Sequence, residues 1–118
     1  MRYGLLVGHD EAAVISTEER SRRNAALSSF AEQMRATGVL AGGERLQPAD
    51  TAVTVRCWDG ADVIVSDGPL APSREQIAGV FIVDGKGLDE AITVATKVPA
   101  AWYGAVEVRP LRDVWPRV

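Results

Sequence analysis

Two short runs of this chain are apolar at every position, Leu5-Leu6-Val7 and Val80–Val83. A strand with one face in water alternates, so uninterrupted apolar runs of this length read as strands buried on both faces. Each run is followed by an amphipathic helix and a further strand, which predicts a β-α-β unit twice over. After the strand Tyr3–Val7, Ser16 opens the first helix, with Glu19 three residues on as a capping box. Leu27, Phe30, Ala31 and Met34 form its apolar stripe, and Gly38 fits the position just past its end. Arg20, Arg23 and Asn24 continue that stripe backwards, so the N-terminal half of the core-facing side is polar and is expected to overhang the sheet. In the second unit Leu88, Ala91, Ile92 and Ala95 form the stripe; Asp89 and Glu90 lie in the first turn, Lys97 in the last, and Pro99 beyond it.

The weaker segments complete the order β-α-β, hairpin, β-α-β. Val39–Leu46 reads as a strand, and its Gly42-Gly43 pair suggests a bulge or a close backbone approach. Ala52–Ser66 reads as a hairpin around Asp59-Gly60. A three-residue loop, Trp58-Asp59-Gly60, pairs Val55 with Val63 and sets Arg56 opposite Asp62. Cys57 alternates with Val53 and Val55 and is expected to be buried and inert. Asp67-Gly68-Pro69-Leu70 is a sharp corner, followed by a polar loop of about ten residues before Val80–Val83. In the last strand, Ala105–Arg109, Val106 and Val108 face one way, Glu107 and Arg109 the other. The pattern predicts an α+β, ferredoxin-like sandwich: an antiparallel sheet, two helices on one face and an inserted β-hairpin. The other sheet face needs cover, most economically from a second copy.

At 118 residues the chain is the length of one domain, so residues 1–118 are taken together. A net charge of −3 supplies no basic footprint for nucleic acid. One cysteine excludes an internal disulfide. The opening MRYGLLVGHDE reads as a strand rather than a signal peptide, and no apolar run reaches the roughly 20 residues of a membrane span. A cytoplasmic protein with no membrane or nucleic-acid partner and no cofactor is the expectation.

Several separated motifs, in order and nearly full length, resemble the YCII-related proteins, in particular the branch named for a DGPF motif. They are RYGLLVGHDE, GVLAGGERLQP (Gly38–Pro48), TVR (Thr54–Arg56), VSDGPLAPSREQIAGVFIVD (Val65–Asp84), LDEA (Leu88–Ala91) and PAAWYGAVEVRP (Pro99–Pro110). The resemblance implies a homodimeric α/β sandwich of the ferredoxin-like, dimeric α/β-barrel type, with a pocket between helix and sheet or at the dimer cleft. Biochemical activity in that branch is largely unassigned; some members are encoded beside alternative sigma factors. Leu70 stands where the motif has Phe, a smaller plug for the same corner. YCII members of the original type carry a helix His and an Asp proposed as a catalytic pair; those positions fall at Leu27 and Ala36 here, so the pair is not carried over.

Chemistry must then come from elsewhere in the chain. His9, the only histidine, lies at a strand end beside Asp10 and Glu11, where a carboxylate can orient a ring nitrogen for general-base work; the plain alternative is a solvated loop histidine. Asp67 can accept from a ligand, or be used up capping its own turn. Glu75 in the polar loop, with Glu44, is a candidate carboxylate pair, against two solvated glutamates. Arg56, Glu107 and Arg109 point away from the apolar faces of their strands, and with Asp67 form a candidate anion-binding set on the open sheet face; the alternative is an intersubunit salt-bridge cluster. Asp84-Gly85-Lys86-Gly87 reads as a turn and cap rather than a phosphate site. Trp102 and Tyr103 are candidate pocket walls, Trp58 the hairpin tip, and Trp115 a tail residue. No metal-ligand spacing is present. Three functions follow: a small homodimer binding a polar or anionic metabolite, with a regulatory role; a proton-transfer enzyme acting on a small cyclic or carboxylated substrate through His9, Asp67, Glu75 or Glu107; or a partner-binding module using the Trp115 tail.

Overall fold

A computed structural model describes residues 1–60 and 62–112; the tail from Asp113, with Trp115, lies outside the described residues. Strands β1 (Arg2–Asp10), β2 (Leu40–Arg45), β5 (Glu75–Asp84) and β6 (Ala105–Pro110) form one antiparallel sheet in the order β2-β5-β1-β6. The two strands that carry the apolar runs are central. Helices α1 (Thr17–Ala36) and α2 (Leu88–Thr96) lie on the same face of this sheet, and β3 (Val53–Trp58) and β4 (Asp62–Asp67) form a separate two-stranded hairpin. This is the ferredoxin-like α+β arrangement.

One face of the sheet makes the core. Tyr3, Leu5 and Val7 of β1 stand beside Phe81 and Val83 of β5, and Val106 and Val108 of β6 pack against them. Phe30 and Met34 of α1 and Ala91, Val94 and Ala95 of α2 cover this face. The Phe30 and Phe81 rings meet edge-on, with centroids 5.3 Å apart at 66°. In α2 the buried stripe runs through Val94 rather than Leu88 and Ile92, which are exposed at its edge.

The ends of α1 follow from local chemistry. Ser16 Oγ accepts from the Glu19 N–H at 3.0 Å, as the capping pattern predicts. At the other end Gly38 takes φ +77° and its N–H donates to the Arg35 carbonyl, a conformation few side chains tolerate.

Three expectations are corrected. β5 begins at Glu75 rather than Val80, because β1 itself continues to Asp10, past a bulge at Val7/Gly8, and offers a partner strand as far as Glu75; the connecting loop is therefore Gly68–Arg74. In the hairpin Val55 faces Val65 and Arg56 faces Ile64, because Asp59 as well as Gly60 adopts positive φ and the loop starts one residue later, after Trp58. The slide moves the register by two, so the valines stay on one face. That face is uncovered, and Cys57 on it is exposed rather than buried.

Candidate functional site

The C-terminal half of α1 packs tightly on the sheet and its N-terminal half does not. Phe30 and Met34 are buried, whereas the equivalent positions one and two turns earlier are Leu27, Asn24, Arg23 and Arg20. Beneath them the sheet presents Val7, Gly79 and Phe81. Polar side chains above small and apolar ones leave a cleft of about 950 Å³, within the size range of small-molecule sites.

Its floor is apolar, formed by Val7, Phe81, Ala78 and Leu27, and its rim is cationic, formed by Arg20, Arg23, Arg45 and Arg74. Glu19 holds Arg23 through a contact of 3.1 Å, and the guanidinium lies 3.8 Å from the centre of the Tyr103 ring. Arg74 pairs with Asp10 at 2.9 Å. Arg45 donates to the side-chain oxygen of Asn24 at 3.0 Å. Among the described residues neither Arg45 nor Arg20 has an ion-pair partner, so these two cations face the cleft unneutralised.

Asp10 and Glu11, at the end of β1, hold the two loops that close the cleft's sides. The Glu11 carboxylate accepts from the Ala49 N–H at 3.0 and 3.2 Å, and its own N–H donates to the Arg74 carbonyl. Gln76 Nε2 donates to the carbonyls of Ala71 and Ser73 at 2.9 and 2.8 Å, bracing the Gly68–Arg74 loop from within.

His9 lies in this cleft, half-buried, past the β1 bulge. The corner Pro99–Gly104 approaches it closely: a Cβ on Gly104 would overlap the Gly8 carbonyl oxygen and lie 3.1 Å from both Cα and Cβ of His9. Tyr103 lines the cleft, as expected, but Trp102 is 82% exposed and does not. Leu27 also lines it, and Ala36 is exposed at the last residue of α1.

The other candidate residues are not gathered there. Asp67 is exposed at the end of β4. Its corner is held by other groups: the Gly68 N–H donates to the Ala52 carbonyl and Thr54 Oγ1 to the Gly68 carbonyl, both at 2.8 Å. Leu70 is 75% exposed, so it plugs nothing among the described residues. Glu75 and Glu44 are exposed outside the cleft. Glu107 and Arg109 pair with each other on the open face of β6, while Arg56 sits on the separate hairpin. Gly85 donates its N–H to the Met1 carbonyl, and Lys86 donates its N–H to Glu90, a turn and cap. Among the described residues no group of three His, Cys, Asp or Glu side chains could hold a metal ion, and no helix is long and apolar enough to cross a membrane.

The polar continuation of the α1 stripe through Arg20 and Arg23 reads in the sequence as a helix end overhanging the sheet; here both residues line a cleft above the sheet, so the signal was present and its meaning as a site was missed. Arg45 and Arg74 carry no such signal. Arg45 reaches the helix side only because a bulge between Leu40 and Gly42 changes the parity of β2, and Arg74 is placed by a pairing 64 residues away.

Comparison with known proteins agrees with this architecture. An uncharacterized protein of Rhizobium meliloti (strain 1021) is 36% identical over 115 residues, covering 94% of this chain and 92% of that protein. The YCII-related domain matches residues 1–115, and the chain therefore belongs to the YCII-related family.

Proposed function

We propose that this protein, through its Asp67-Gly68-Pro69 corner a member of the DGPF branch, binds a small anionic molecule with an apolar body in the α1 cleft. The observation that carries the reading is the pair Arg20 and Arg45, without carboxylate partners among the described residues, above a floor of Val7 and Phe81. A carboxylate or phosphate satisfies the two guanidiniums, and the rest of the ligand covers the apolar floor. Arg23 is already engaged by Glu19 and Tyr103, so it stiffens the rim.

The test is a panel of small aromatic and alicyclic carboxylates and phosphates, read by thermal shift and titration calorimetry. Each charge-assisted contact is worth about 1.5–3 kcal/mol, so Arg45→Gln and Arg20→Gln should each weaken binding by roughly ten- to a hundredfold. Arg35→Gln, outside the cleft, should leave affinity unchanged. No binding by any of the panel, or equal affinity in the Arg45 and Arg20 variants, would refute the reading.

A second reading rests on His9, which lines the same cleft beside Asp10. It makes the protein a proton-transfer enzyme for such a ligand, with His9 as the acid–base group; Asp67 and Glu75 do not line its cleft, although Glu75 pairs across the strands with Asp10. Turnover that survives His9→Gln unchanged would exclude it.

A further inference from the structure

The α1 cleft is electrically lopsided. Its carboxylates gather at the end of β1. Asp10 pairs with Arg74 and accepts from the Ala12 N–H at 2.9 Å, Glu11 accepts from the Ala49 N–H, and Asp50 follows in the turn Ala49–Thr51. The two cations without ion-pair partners among the described residues, Arg20 and Arg45, belong to the other side, where β2 meets α1. Arg45 pairs in the sheet with Gly79, Gly79 with Val7, and His9 lies two residues beyond Val7 on β1. Two strand spacings and two residues of rise put Arg45 and His9 about 12 Å apart at Cα. A bound anion therefore has one place for its charge, and its remainder lies over Val7 and Phe81 with the uncharged end toward His9.

Arg20 and Arg45 can close on a single group. Arg45 is held against α1 by its contact of 3.0 Å with the Asn24 side-chain oxygen, and Asn24 is one helical turn from Arg20. Side chains so spaced lie about 5–6 Å apart at Cβ, less than the reach of an arginine. Asn24 takes one of the several N–H donors of Arg45, so both guanidiniums keep donors for a shared anion. Arg23 does not compete for it, because Glu19 and the Tyr103 ring already hold it.

Two like charges this close select the head group. A carboxylate has one charge and one O–O edge; it seats one guanidinium fork and leaves the second cation uncompensated. A phosphate monoester has close to two charges at neutral pH and three terminal oxygens, so each of two O–O edges takes a fork. Resting on the anion-binding reading of this cleft, we propose that its ligand is a phosphate monoester of a small apolar alcohol or phenol. Arg20 and Arg45 clamp the dianionic head and set the preference for it over a carboxylate.

Titration calorimetry on the full chain, at about pH 8 and so above the second phosphate pKa of about 6, compares phenyl phosphate, phenyl sulfate and benzoate. All three have the same ring, and the sulfate keeps the three-oxygen head with a single charge. Phenyl phosphate is expected to bind roughly ten- to a hundredfold more tightly than either of the others, the effect of one further charge-assisted contact. Arg45→Gln or Arg20→Gln removes half of the clamp, and the three affinities should then converge. Both arginines are exposed, so far-UV circular dichroism should not change, and the wild-type comparison needs no variant at all. Arg35→Gln, outside the cleft, should keep the preference. Phenyl sulfate or benzoate matching phenyl phosphate on the wild type, or a preference that survives Arg45→Gln undiminished, would overturn this inference and leave the broader anion reading standing. Inorganic phosphate binding as tightly as phenyl phosphate would overturn it too, since the apolar floor would then contribute nothing. No binding by any of the four would overturn both.

Discussion

Gly104→Ala tests whether the site corner is set by backbone contact rather than by side chains. Gly104 precedes β6, and its N–H donates to the Ala100 carbonyl at 2.7 Å. Its φ is not in the left-handed region, so the cost of a methyl is purely steric. That methyl would overlap the Gly8 carbonyl oxygen and press on Cα and Cβ of His9 at 3.1 Å. No rotamer change relieves a backbone contact; the corner or the end of β1 has to move by roughly an ångström, and overpacking of this kind costs about 1–3 kcal/mol. Losing the Ala100 hydrogen bond as the corner lifts adds about 1 kcal/mol. A loss of about 2–4 kcal/mol is expected, a large fraction of the roughly 5–15 kcal/mol that holds such a domain together. In urea the midpoint should fall with the slope unchanged, and the melting temperature should drop by roughly 8–16 °C. Gly42→Ala is the control: nothing lies within 4 Å of a Cβ there and φ is not positive, so its stability should change by no more than about 1 kcal/mol. A Gly104→Ala protein as stable as the wild type would refute the close approach of the Pro99–Gly104 corner to β1, and with it the account of how His9 is held.

Leu5 is fully buried at the centre of the sheet, so Leu5→Ala should cost about 3 kcal/mol in urea unfolding, and a loss below about 1 kcal/mol would contradict its place in the core. A Cβ at Gly43 would lie 2.7 Å from Phe81 Cδ1; Gly43→Ala should push that ring into the cleft at a cost of about 1 kcal/mol, seen as shifted aromatic resonances of Phe81 and Phe30. Ser16→Ala removes the N-cap of α1 and should cost about 1 kcal/mol by thermal melt. Asp10→Asn breaks the pair with Arg74, which is 84% exposed, so stability should change by less than about 1 kcal/mol; faster amide exchange across residues 69–74 is the expected readout.

What the sequence made legible was what local chemistry or periodicity decides. Ser16 and Glu19 need only each other to mark a helix start, and Leu27, Phe30, Ala31 and Met34 need only the helical period to define a buried stripe. The two uninterrupted apolar runs placed β1 and β5 at the centre of the sheet, but only one of their faces is packed by the helices, and Leu6, Val80 and Ile82 on the other are half-buried. The failures lie where a distant partner decides. Gln76-Ile77-Ala78 became strand because β1 runs on beside it, and nothing in those residues announces that. The hairpin register slid by two because Asp59 tolerates a left-handed backbone, and a slide of two leaves every side chain on its original face. Cys57 illustrates the deeper limit: alternation shows which residues share a face and is silent on whether anything covers that face.

That limit also bears on the α1 cleft. A ferredoxin-like sheet of this length gives α1 more sheet than its apolar stripe can cover. Where the stripe ends at Leu27, Asn24, Arg23 and Arg20 hold the helix off Gly79 and Ala78, and the uncovered sheet becomes the floor of a cleft. The loop that walls this cleft is the return from the hairpin, and it is tied back to the end of β1 by Asp10 and Glu11 rather than packed on the core. This wall is braced by Gln76 and by its own corner, and its tie to β1 is one exposed ion pair and one backbone hydrogen bond. It runs from the end of β4 to the start of β5, across the cleft from Arg45 and Arg20. An anion held by those two arginines should stiffen Gly68–Arg74, read as slower amide exchange across residues 69–74.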